Sequence, residues 1–281
     1  MKVTIMAMKM EITKEDFENA ILVATSSQSE VFDSVEPHFV EVYERLQQQF
    51  LGYAGEAALE SNERLTSAVI RAVCLGAFLE VVRHLDLVLT PTGFGVVANS
   101  EVSPASAARV EALVEQCRVA YFKAEGDMIT WLATVEDWGS SLQAKCCLTL
   151  LVYSIGQYNF QTKQELSSQK WKDNLGKLYE ADSVMRKLIS DEQMDDLLEM
   201  ERGAKTKDGV SANLIFQVRR CMILQAEGLL TAFSNERGRM LKFLDANISN
   251  FQLYADSSAY KANHFKEYQN EKSKPAFVFN S

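Results

Sequence analysis

The sequence predicts a mainly α-helical fold, a multi-helix bundle with one small β-hairpin and a strand-like C-terminal tail. Three observations predict it. Glycine and proline number only 13 and 4 in 281 residues, about 6% of the chain where about 12% is usual. Turns are therefore few and elements long. Apolar residues recur at spacings of three and four through most of the chain, which is the helical period. Turn signals every 8 to 12 residues, which a sandwich or barrel needs, are absent.

The elements follow in order. Thr13 and Asp16 open a short helix running to about Ala24, with Phe17, Ala20, Ile21 and Ala24 as its apolar face. Pro37 marks the first turn of a second helix carrying Phe39, Val42, Tyr43, Leu46 and Phe50. Gly52 to Gly55 breaks it, and Asn62 caps a third helix that runs to about Leu85. Two β-branched runs then flank Thr90-Pro91-Thr92-Gly93, whose proline and glycine suit a type I turn. Ser103-Pro104 starts the longest helix, with the stripe Ala107, Val110, Val114, Cys117, Tyr121, Ala124, Met128 and Trp131.

Glu136–Gly139 is the best internal break. It divides the chain into an N-terminal helical half, 1–135, with the hairpin at 87–98, a C-terminal helical half, 136–270, and an extended tail, 271–281. The shortage of glycine between the halves also allows one continuous bundle. In the second half, helices are expected at about Ser141–Phe160 and, behind the capping box Thr162-x-x-Glu165, at Lys163–Leu188. A second box, Ser190-x-x-Gln193, opens a short acidic helix to about Arg202, and a polar loop fills 203–209. Ser211–Phe233 and Asn235–Tyr254 follow, meeting at Ser234.

Composition narrows the function classes. The net charge of −9 and the lack of a basic run argue against DNA or RNA binding. Five cysteines without a Cys-x-x-Cys pair, and three scattered histidines, argue against a disulfide framework or zinc ribbon. A reducing compartment is expected. Residues 1–9 lack the apolar stretch of a signal peptide. The most apolar window, Cys146–Ile155, is about half a membrane span long. The reading is a soluble, intracellular chain with no membrane contact.

Local motifs supply no chemistry. Gly93-Phe94-Gly95 lacks the third glycine and following helix of a dinucleotide loop. Ser167-x-x-Lys170 has the spacing of a serine–lysine nucleophile but no companion Lys-Thr-Gly, and reads as two neighbours on a wet helix face. Glu80 and His84 are spaced to share a metal. Without a second histidine pair nearby, His84 reads as a helix-end residue facing the dipole. The carboxylates Asp191, Glu192, Asp195, Asp196 and Glu199 lack the glycine and alternation of a calcium loop and read as a solvated face. At least one of Cys146 and Cys147 joins the stripe Leu142, Cys146, Leu150, Tyr153. No paired Glu-x-x-His motif of the di-iron kind occurs. The expectation is a non-enzymatic protein with no catalytic, cofactor-binding or metal-ligating residues.

Two features stand apart. Phe94, flanked by glycines, tips the hairpin and serves either the core or a contact with another chain. Phe277-Val278-Phe279, behind a polar spacer and Pro275, invites strand addition to a neighbour; the alternative is an unordered terminus.

The run from Leu85 through Thr90-Pro91-Thr92-Gly93-Phe94-Gly95 to Val97, then Asn99 and Ser103-Pro104-Ala105-Ser106, resembles an uncharacterised family of phage and prophage structural proteins. The stretch Met240–Asn247 with Phe251, Leu253, Tyr254 and Tyr260, and the Phe-Val-Phe ending, are similar as well. The resemblance implies a neck or head-to-tail connector subunit, located in the virion or the host cytoplasm. Its partners would be identical subunits in a ring and virion proteins on the portal or tail side, without sequence-specific nucleic acid binding. The expected subunit contacts are Thr90, Pro91, Thr92, Gly93, Phe94, Gly95, Phe277, Val278 and Phe279. An acidic bundle suits a DNA conduit, because carboxylates repel phosphates. The alternative is an intracellular helical interaction module that binds its partner in a groove between the halves.

Overall fold

The computed structural model describes residues 10–21, 30–85, 87–90, 93–96 and 106–265. Among them the chain is mainly helical, as the sparse glycine and proline require. Helix α1 (Lys14–Ala20) starts with a capping box: Thr13 Oγ1 accepts the Asp16 N–H, and the Asp16 carboxylate accepts the Thr13 N–H at 2.9 Å. Ile21 leaves the helical region, so α1 ends before the expected Ala24, which lies outside the described residues. Its Phe17 packs in a knot of rings with Phe32, Phe39 and Phe78, centroids 5.8, 6.4 and 6.1 Å away.

Next comes α2 (Glu30–Val35), a 3₁₀ turn at Glu36–His38 built on Pro37, α3 (Phe39–Leu46), a π turn at Gln47–Leu51, and α4 (Gly52–Ala58). The break expected at Gly52 to Gly55 falls at Gly52, whose φ 58° and ψ −164° lie outside the helical region, and a π turn leads into it. Leu46 and Leu51 explain that turn, since both are fully buried. Five residues apart in an α-helix, they would point about 140° away from each other, and the wider turn brings Leu51 back to the core. Gly52 follows at φ 58°, a conformation that glycine adopts without a steric penalty.

Helix α5 (Glu63–Val81) is capped by Asn62, whose Oδ1 accepts the Leu65 N–H at 3.1 Å. It lies antiparallel to α6 (Ala107–Leu132), with Arg83 bonded to Glu111 at one end and Arg64 over the Trp131 ring at the other. Strands β1 (Leu87–Thr90) and β2 (Gly93–Val96) pair antiparallel between these helices, Leu87 opposite Val96 and Thr90 opposite Gly93. Ser106 has extended backbone at the N-cap of α6, so the helix does not begin at Ser103-Pro104, which lies outside the described residues. Of its stripe, Val114, Cys117, Ala124 and Met128 are buried, joined by Leu132 in line with them and Ile129 to one side, while Gly126 on the far side meets Ser154. The helix is covered from two sides.

The second half contains α7 (Leu142–Cys147), α8 (Ile155–Thr162), α9 (Ser168–Ile189), α10 (Asp191–Glu201), α11 (Gly209–Ala226), α12 (Leu230–Ala246), α13 (Gln252–Ala255) and α14 (Ser258–Asn263). Three expectations need correction. The single helix over Ser141–Phe160 is two, separated by the non-helical segment 148–154. Thr162 and Glu165 form no capping box; Lys163 ends α8 at φ 57°, and Ser167 caps α9 by accepting the Lys170 N–H. The joint placed at Ser234 lies at Gly228, φ 71°, and Phe233 is inside α12. Ser190 does cap α10, accepting the Gln193 N–H at 3.2 Å. The Gln193 side chain turns away to accept the Tyr254 N–H.

A continuous apolar cluster runs from Met10 to Tyr254. At the corner between the halves Trp138 is completely buried, and its indole N–H donates to the Phe50 carbonyl at 2.7 Å. The loop after α10 abuts the end of α6 so closely that a Cβ on Gly203 would lie 2.0 Å from the Ala133 oxygen.

Candidate functional site

A cleft of about 540 Å³ opens between the two halves. Its walls are the end of α1 at Ala20, α5 at Arg71 and Leu75, α6 from Leu113 to Lys123, and the segment 165–167 that leads into α9. The floor is apolar: Leu75 and Cys117 are buried there, and Leu166 is 4% exposed. The rim is charged. Arg71 is exposed, and Lys123 Nζ bonds Glu165 at 2.9 Å. Glu165 also accepts from Asn159 Nδ2, which explains why it is missing from the expected capping box. Burial pushes the Cys117 thiol up to about 11, so it contributes apolar bulk and no thiolate. The N-terminus of α9 does not open into the cleft as an anion site, because the Glu115 carboxylate occupies it, accepting from Ser168 N–H at 2.6 Å and Ser168 Oγ at 2.5 Å. An apolar floor framed by charges of both signs, Arg71 and Lys123 with Glu115 and Glu165, is the chemistry of a docking surface.

The hairpin β1–β2 is the second candidate. It holds Thr90, Gly93, Phe94 and Gly95, while Pro91, Thr92, Phe277, Val278 and Phe279 lie outside the described residues. Among the described residues the sheet consists of these two strands, paired in register from Leu87–Val96 to Thr90–Gly93.

Other polar groups are engaged in holding the fold. The carbonyls of 148–154 are met by arginines from far along the chain: Arg202 donates twice to the Leu148 oxygen at 3.0 and 2.8 Å, and Arg219 Nε donates to the Leu151 oxygen at 2.8 Å. Arg219 and Lys207 also bond the buried Glu201 at 2.5 and 2.8 Å. Tyr158 Oη donates to Glu227 at 2.5 Å and accepts from Asn174 Nδ2, tying α8, α9 and α11 together. Burial pushes the Glu125 carboxyl on α6 up to about 7, against the opposing pull of Tyr121 and Arg45.

The motifs singled out in sequence fall in different places. Ser167 is a helix cap, and Lys170 reaches toward Glu227 at 3.9 Å, so the pair does not share a site. Asp182, Asp191 and Asp195 surround Arg186, while Asp196 and Glu199 hold Lys205 at 2.6 and 2.7 Å. His84 lies beyond the end of α5, and Glu80 bonds Arg45 at 2.8 Å with its other oxygen facing His38. Cys146 is exposed and Cys147 half-buried. Sequence reading missed His38, Arg71, Glu115, Arg202 and Arg219. Apart from Arg71, each acts on a partner more than 40 positions away, so no local motif marks it.

Among the described residues no helix is long and apolar enough to cross a membrane. No curated protein and no solved structure matches the chain. A model of a family of unknown function (DUF6712) matches residues 40–147. The chain is thus similar to that family over α3 to α7, the segment that carries the hairpin and the α5–α6 wall of the cleft.

Proposed function

We propose that this chain is a non-enzymatic structural subunit of a phage or prophage, a neck or head-to-tail connector that forms a ring with copies of itself. The observation that carries the reading is the hairpin. A two-stranded hairpin in water is marginal on its own, and among the described residues this sheet has two strands and no third. Each strand has an outward edge of N–H and C=O groups ready to receive a further strand. The tail segment Phe277-Val278-Phe279 of a neighbouring subunit has the composition to supply one. The net charge of −9 suits a conduit for DNA.

The test is quantitative mass spectrometry of particles induced from the source organism. A low, fixed copy number relative to the major capsid protein is expected, and deleting 275–281 lowers incorporation while leaving the helical circular dichroism intact. Complete tailed particles lacking the chain would overturn the reading. The second reading, an intracellular helical interaction module, draws on the cleft between the halves. In that case Leu75→Glu abolishes partner binding by a monomer, and the tail deletion does not.

A further inference from the structure

We infer that His38, Glu41 and Glu80 form a surface site for one divalent transition-metal ion, zinc in preference to magnesium or calcium. The three residues come from two elements. His38 ends the 3₁₀ turn built on Pro37, Glu41 lies one turn further on in α3, and Glu80 sits in the last turn of α5. The imidazole Nδ1 and one carboxylate oxygen from each glutamate all lie within 4.8 Å of one another.

The distances fit an ion better than direct pairing. His38 Nδ1 and Glu80 Oε2 are 3.7 Å apart, too far for a hydrogen bond. Two donors bound to one zinc ion at 2.0–2.1 Å with tetrahedral angles lie about 3.4 Å apart. For that pair a closure of a few tenths of an ångström suffices, and the solvent-accessible Glu41 carboxylate, whose oxygen lies within 4.8 Å of both, swings in by up to about 1.4 Å to complete the site. Glu80 is already oriented for it: Arg45 donates to Oε1 at 2.8 Å and leaves Oε2 turned to the histidine, the arrangement in which an outer hydrogen bond fixes a ligating carboxylate. The end of α5 presents the negative pole of its dipole to the same spot. A further carboxyl group, that of Glu36, is buried in the same 3₁₀ turn with Oε1 lacking a hydrogen-bond partner. One imidazole with two carboxylates selects a borderline metal over the hard cations that take oxygen alone. Three protein ligands at the surface leave the remaining position to water. The ion would clamp α3 to the last turn of α5, just before the hairpin begins at Leu87.

Zinc titration of the full chain by calorimetry tests this, together with cobalt(II) spectra and proton NMR of the three histidines. Saturation at one equivalent is expected, with no thiolate charge-transfer band, and with cobalt broadening only the His38 ring signals. His38→Ala and Glu80→Gln each weaken binding by about tenfold or more; His84→Ala and the Cys146→Ser, Cys147→Ser pair leave it unchanged. Because the NMR measurement uses the wild-type chain, it does not depend on how the variants fold. No saturable binding, undiminished binding by His38→Ala, or broadening of His84 or His264 instead would overturn the assignment.

Discussion

Glu125 shows how one side chain can set a pH dependence. Burial raises its carboxyl from 4.5 to about 7, and the opposing pull of Tyr121, Arg45 and Lys172 does not undo the effect. Between those two values the folded chain holds a proton that the unfolded chain has released. Stability therefore falls as pH rises through this window, and the cost is complete above it. Glu125→Gln keeps the shape and removes the charge. The variant should melt at a higher temperature than the wild type at pH 8, and the two melting curves should converge as the pH approaches 4.5. A constant difference across the range would show that Glu125 does not titrate in this window.

At the scale of elements, the extended segment 148–154 is held by two remote arginines, and its neighbourhood is sensitive for that reason. Arg219→Ala leaves the buried Glu201 carboxylate to Lys207 alone and frees the Leu151 carbonyl at once. Leaving a buried charge uncompensated costs about 3–5 kcal/mol, and the Lys207 pair that remains holds the loss at or below the lower end of that range. Chemical denaturation should show a loss of that order, and the double variant Glu201→Gln, Arg219→Met should recover much of it. The same segment marks where the sequence stops being legible. Cys146–Ile155 is an apolar run without glycine or proline, locally indistinguishable from a buried helix. What keeps it extended is a pair of guanidinium groups more than 50 positions downstream. Caps, by contrast, are local, and those of Thr13, Asn62 and Ser190 are readable because donor and acceptor lie three residues apart. The candidate sites divide in the same way. The hairpin strands are contiguous and can be read from their turn, whereas the cleft draws on α1, α5, α6 and α9 and exists only after folding.

For the whole molecule, the continuity of the core across the Trp138 corner implies that the halves unfold together. Tryptophan fluorescence and far-ultraviolet circular dichroism should trace one coincident thermal transition; two separated transitions would mean that the halves are independent. Gly203 contributes to this coupling, since the loop after α10 meets the end of α6 backbone to backbone. The distribution of thiols across this core has a practical outcome for anyone working with the protein. Cys74, Cys117 and Cys221 are sealed inside it, and burial pushes the half-covered Cys147 up to about 12. Only Cys146 stands in the open. The native chain thus carries a single natural attachment point for a maleimide dye, at the start of the extended segment, with no need to engineer the others away.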